Sequence, residues 1–276
     1  MSHYKVAVFT KENGPDVDEL LAPYDENIRV ERYLDKTKAE LIADGKAEIE
    51  RCKNGKYAEY LKDPEKYLRE TCHGCRDDSH FKFLSEEFPE RLKWTDEEIY
   101  QHQIQYYDAE DIDEDGNTYS TYNPKSKWDW YSFGGRFSGE LLLKPQYALE
   151  GHEDELCWVD EAFAYEVDFD KMRDLELENC KPYQEFIEGQ CKFYKKEFVL
   201  ERYPDEAAYK KQISTFSTYA VVTPDGEWHA PGEMGWWACS TETEEEYRQW
   251  VNDYYKAFLE PAMLKGWFIT IVDCHI

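Results

Sequence analysis

The chain has 276 residues, enough to bury a sizeable core as one large domain or two small ones. Aromatics make up 16% of it, with 22 Tyr and 9 Trp, which excludes a disordered polyelectrolyte. The formal net charge of -27, with no Lys/Arg-rich run, sets a field that repels nucleic-acid backbones and argues against direct DNA or RNA binding.

Tyr4 to Thr10 reads as a buried strand, followed by a short helix over Asp16–Leu21. Thr37-Lys-Ala-Glu40 has the form of a capping box opening a helix to about Lys53, Asp63-Pro64 is a second helix start and Thr95-Asp-Glu-Glu98 a third. Residues 37–105 are therefore expected to form a charged, mostly helical lobe. Asp111–Asn117 is turn material leading into a strand over Thr118–Tyr122. Arg136–Leu143 and the alternating Ala162–Phe169 read as further strands, and Pro182 to about Leu200 as a helix. Phe216–Thr223, a Pro224-Asp-Gly226 turn and Glu227–Ala230 make a hairpin. Thr243-Glu-Glu-Glu246 caps a helix whose stripe carries Tyr247, Trp250, Val251, Tyr254, Phe258 and Leu259; Glu260-Pro261 should stop it, before a last strand over Trp267–Asp273. The expected fold is α+β: one domain over 1–276, a largely antiparallel sheet built from both chain ends with packed helices, and the inserted lobe.

The first ten residues lack a basic region followed by an apolar run, and no apolar run approaches the roughly 18 residues that span a bilayer. No membrane association is expected, and the eight cysteines read as reduced thiols in a cytosol.

Cys72-His-Gly-Cys75, with Cys52 upstream and His80 downstream, has the donor set of a Cys3His zinc site. The spacing to Cys52 is not a standard one and no second such pair follows, so unligated thiols at a helix end weigh more and no cofactor is expected. Asp111-x-Asp113-x-Asp115-Gly116 opens like a calcium loop, but Tyr122 stands where a bidentate glutamate is required. Nucleophile, phosphate-loop and His-Glu-x-x-His motifs are absent, and His229 and His275 read as isolated polar residues at strand ends.

The most informative segment is Lys127-Trp-Asp-Trp-Tyr-Ser-Phe-Gly-Gly-Arg-Phe-Ser-Gly139. Side-by-side Gly134 and Gly135 point to a bulge or a close backbone approach. Trp128, Trp130 and Tyr131 offer flat faces, Lys127 a charge, and Arg136 a fork that grips phosphate or carboxylate bidentately. Trp236 and Trp237 would form an opposite wall. The competing reading is a strand–bulge–strand corner, with Trp128, Trp130 and Phe133 in the core and Arg136 paired to a carboxylate.

Asn123-Pro-Lys-Ser-Lys-Trp-Asp-Trp-Tyr131, Gly134-Gly-Arg136 and the Leu20–Asn27 run resemble a group of uncharacterised phage and prophage proteins, over most of the chain. That resemblance implies expression in a bacterial host cytoplasm. It carries no activity, although accessory phage proteins often antagonise host defences. The expectation is a non-enzymatic accessory protein that inhibits host antiviral defence, binding a host defence protein through its acidic surface or sequestering a small nucleotide. Less favoured are a nucleotide- or nucleic-acid-processing enzyme with Arg136 as anion clamp, and a virion structural or assembly protein. A homo-oligomer is compatible with all three.

Overall fold

The two chain ends meet at the centre of one sheet. The computed structural model describes residues 2–150, 155–235 and 239–276. In chain order the strands are β1 (His3–Thr10), β2 (Arg29–Lys36), β3 (Thr118–Tyr122), β4 (Trp130–Phe133), β5 (Leu141–Leu142), β6 (Trp158–Val159), β7 (Glu161–Phe163), β8 (Ala220–Val222), β9 (Trp228–His229) and β10 (Phe268–His275). The chain divides into two units, residues up to Ile28 with Asn123–Ile276, and Arg29–Tyr122.

In the first unit the sheet order is β4-β10-β1-β8-β9, with β7 also paired to β10. All its pairings are antiparallel except β1 with β8, giving the α+β architecture read from the sequence. Strands β1 and β10 are near-continuous apolar runs because both faces of the sheet are covered. On one face Ala7, Phe9, Val221, Ile269 and Ile271 pack with Tyr254, Leu259 and Ala262 from the helix Glu244–Tyr254, the turn Tyr255–Leu259 and the helix Glu260–Lys265. On the other, Tyr4, Val6, Val8, Val272 and Cys274 pack with Leu20, Leu21 and Trp128.

Several elements differ from the sequence expectation. Arg136–Leu143 is not a strand: a 3-10 turn spans Gly135–Phe137 and only Leu141–Leu142 pair. The alternation of Ala162–Phe169 supports pairing with β10 only through Phe163. Beyond it the chain turns away, so that the Glu166 carbonyl accepts from Lys144 and the Asp168 amide donates to Leu142. A helix not anticipated then runs over Phe169–Asn179, capped by the Asp168 carboxylate. The expected Pro182–Leu200 helix is two, Tyr183–Gln190 and Lys196–Arg202. Glu260-Pro261 does not stop the last helix. A π-turn over Tyr255–Leu259 lets Pro261 enter as the first turn of Glu260–Lys265, and Gly266 (φ 65°) ends it.

The second unit begins and ends with strands, β2 paired antiparallel to β3, and so extends beyond the expected 37–105 lobe. Between them the helices Lys38–Cys52 and Asp96–Ile104 carry the capping boxes at Thr37/Glu40 and Thr95/Glu98. Pro64–Glu70 is capped by Asp63. Among the described residues no helix is long and apolar enough to cross a membrane.

Candidate functional site

Along the helix-covered face of the sheet, apolar residues give way to polar ones at one end. Ile269 and Ile271 are followed on the same side of β10 by Asp273 and His275, and β1 starts with His3 and Lys5 ahead of Ala7 and Phe9. Antiparallel pairing sets His3 opposite His275 and Lys5 opposite Asp273. The two imidazoles are 4.9 Å apart, centre to centre, and nearly perpendicular. Trp130, from the neighbouring β4, stacks on His275 at 4.9 Å and meets His3 edge-on at 5.3 Å.

Each imidazole is held by its own carboxylate. The Nδ1–H of His3 donates to Asp273 Oδ1 (2.9 Å), and that of His275 to Asp129 Oδ1 (2.6 Å). Because a carboxylate only accepts, both protons sit on Nδ1 and Nε2 is the free nitrogen of each ring. Among the described residues neither Nε2 has a hydrogen-bond partner, and neither belongs to the polar atoms that are both buried and unpaired. The rings are mostly enclosed, at 12% and 4% side-chain exposure, with neither Nε2 fully sealed.

The glycine pair serves this arrangement from within. Gly134 and Gly135 both take positive φ, 61° and 57°. A methyl group on Gly134 would lie 2.6 Å from Asp160 Cγ, and one on Gly135 2.6 Å from Asp273 Cβ. The close approach anticipated at this doublet is thus made by two of the protein's own carboxylates. Asp160 accepts from the Gly139 amide (2.5 Å) and the Ser138 hydroxyl (3.1 Å). Asp273, 2% exposed, accepts the Arg136 amide on Oδ2 (3.0 Å) while Oδ1 holds His3, so both its oxygens are satisfied. These side-chain bonds take up the Arg136 and Gly139 amides that a strand would need for its ladder. The Arg136 guanidinium is exposed and has no carboxylate partner among the described residues, contrary to the ion pair of the corner reading.

The other residues of the segment part company. Trp128 is buried, donates from Nε1 to the Leu21 carbonyl (3.2 Å) and belongs to the opposite face of the sheet. Tyr131 turns to that face too and donates to Asp18; burial first, and then this carboxylate, hold its phenol protonated. Lys127 pairs with Glu233 (2.5 Å) at a cleft of about 420 Å³ lined also by Tyr24 and Trp228. Of the candidate residues, then, Trp130 touches both imidazoles, Gly135 and the Arg136 amide lie against Asp273, Gly134 lies against Asp160, and Lys127, Trp128 and Tyr131 are elsewhere. Trp236 and Trp237 lie outside the described residues.

On the imidazole side, a larger cleft of about 720 Å³ is lined by Lys5, Ser138, Gly139, Glu140 and Trp158. Lys5 is held there by Glu140 (2.9 Å). In the second unit Cys72 is buried against Leu68 and Phe81, while Cys75 is exposed. Burial, and then Asp78, push the Cys72 thiol up, and burial raises that of Cys52, away from the thiolate a metal needs. Cys52, Cys72, Cys75 and His80 are not brought together: among the described residues no three His, Cys, Asp or Glu side chains converge to hold a metal.

His3, Asp129, Asp273 and His275 escape a motif search because their neighbours in space are far apart in sequence. His275, read as an isolated strand-end histidine, is in fact paired with both a carboxylate and a second imidazole. One signal was present: the apolar runs of β1 and β10 break on one side at one end, into His3 and Lys5 and into Asp273 and His275. The assembled group offers a flat exposed surface, a free guanidinium and two oriented imidazoles. Comparison with protein-family models, with curated proteins and with solved structures returns no match to this chain.

Proposed function

We propose that the protein binds a small ligand carrying both a flat ring and an anionic group, of the nucleotide class, at the Trp130–Arg136 edge of the sheet. In the phage setting that the sequence resemblance implies, it acts as an accessory protein that removes such a signal in the host cytoplasm. The observation that carries the reading is the indole of Trp130, 45% exposed although it stacks on His275. It packs on the rings of His3 and His275, and Asp273, which holds His3, also fixes the backbone of Arg136, whose guanidinium is free to grip an anion. The net charge of -27 favours a small ligand over a polyanion, since one guanidinium offsets a few phosphates and not a strand of them.

Calorimetric titration with cyclic AMP, cyclic GMP and a cyclic dinucleotide tests this. The wild-type chain is expected to bind at least one of them. Arg136→Ala should stay folded, by circular dichroism, and lose affinity by about tenfold or more, the usual worth of a charge-assisted contact. No heat from any of the three would sink the reading. The acidic charge favours a second partner class, a basic host protein steered by electrostatic complementarity. It would show as a complex with such a protein at low salt that dissolves as salt is raised.

A further inference from the structure

His3 and His275 form two imidazole–carboxylate pairs facing one another, an arrangement that ligand binding alone leaves unused. A neutral imidazole with its Nδ1 proton fixed by a carboxylate presents a basic Nε2, and its protonated twin presents an acidic one. Having both within one contact distance supplies a base and an acid to opposite ends of a single displacement. The companions narrow the substrate: a free guanidinium suits a phosphoryl group and a half-exposed indole suits a base, while no activated hydroxyl or thiol takes part in the cluster.

We propose that His3 and His275 are the acid–base pair of a hydrolytic centre that cleaves a small nucleotide phosphodiester, with water as the attacking group. This rests on the ligand site proposed above and adds turnover to it. In the step, one Nε2 takes a proton from water as the water oxygen bonds to phosphorus. The ester phosphorus–oxygen bond breaks, and the other imidazole gives its Nε2 proton to the departing oxygen. The products are a phosphomonoester and an alcohol, nothing is oxidised or reduced, and proton exchange with solvent resets the pair. Arg136 binds the phosphoryl oxygens. Asp129 and Asp273 are positioning residues that fix each ring's tautomer and orientation, much as the carboxylate of a Ser-His-Asp triad does.

The test is release of phosphomonoester from cyclic AMP, cyclic GMP and the cyclic dinucleotide, with bis(p-nitrophenyl) phosphate as a generic probe. Turnover is expected with a rate maximum flanked by an acid and an alkaline limb, because one ring must be neutral and the other charged. The charged groups facing the pair are Asp129 and Asp273, with Lys5 opposite Asp273 on β1 and its partner Glu140, while Arg136 joins the cluster through its backbone amide on Asp273. His3→Gln and His275→Gln should each lower kcat by at least about 100-fold while calorimetric binding persists. Asp129→Asn should lower kcat and distort the pH profile without abolishing binding. Circular dichroism checks that each variant folds, and if His275→Gln does not, the less enclosed His3→Gln decides. Binding with no turnover of any probe, or turnover that both glutamine variants keep, overturns the hydrolytic centre and leaves the binding reading intact. Absence of binding and turnover alike overturns both.

Discussion

Gly134→Ala is expected to destabilise the first unit by roughly 3–5 kcal/mol, a large share of the stability of a domain of ordinary size. Two costs add. An alanine at φ 61°, ψ -69° lies outside the left-handed helical well and pays about 1–3 kcal/mol for that strained backbone. Its methyl group must also displace the Asp160 carboxylate, which then loses the Gly139 amide and the Ser138 hydroxyl at roughly 1 kcal/mol each. Gly266→Ala is the comparison for a left-handed helical glycine, φ 65° and ψ 36°, with nothing within 4 Å of the added methyl. It should cost only the backbone share. Denaturant midpoints of the two variants, at unchanged slope, measure the difference. Equal losses would show that Asp160 yields freely and that the loop owes its glycine to backbone shape alone.

Trp128→Ala and Trp130→Ala, two residues apart, should behave oppositely. Trp128 is 7% exposed, packs edge-on against Tyr131 at 4.8 Å and donates to Leu21, so truncation leaves a cavity and an unpaired carbonyl. About 3–5 kcal/mol of stability should go, as for other buried tryptophans. Trp130 is far more open and makes no side-chain hydrogen bond among the described residues. Its removal should cost about 1 kcal/mol or less, uncover His275, and weaken nucleotide binding by roughly tenfold through the lost stacking surface. Thermal melts and calorimetry on the two variants separate core from site within one short strand. A Trp130→Ala protein that melts like Trp128→Ala would mark that indole as structural.

Local signals carried well from sequence to fold. The capping boxes at Thr37/Glu40, Thr95/Glu98 and Thr243/Glu246 are all formed, because the reciprocal bonds of a box involve residues only three apart. The aromatic stripe of the last long helix does pack as read, with Val251, Tyr254, Phe258 and Leu259 buried. Strand extent carried poorly. Alternation in Ala162–Phe169 describes which side chains are apolar, but the partner strand decides how many pair, and β10 offers backbone to β7 only as far as Phe163. Arg29–Lys36 gave no strand signal because it has no buried face; its burial comes only from the ribbon it forms with Thr118–Tyr122.

The site was half legible for the same reason. The Gly-Gly-Arg doublet stood out as a place of close backbone approach, and it is one, though Asp160 and Asp273 occupy it. Neither aspartate could be singled out among 60 acidic residues without knowing that β10 lies beside β4. Strand alternation divides the segment between two faces, sending Trp130 one way and Tyr131 the other, and a linear reading grouped them together.

The pairing of β1 with β10 also governs when the imidazole cluster comes into being. His3 gains its partners only when β10 docks on β1, because that strand supplies both the second ring and the carboxylate for the first. Parting β10 from β1 would therefore take away one imidazole and the other's carboxylate together. Closure across the 270 residues that separate His3 from Asp273 is slow to form, since that loop entropy must be overcome before the pairing rewards it.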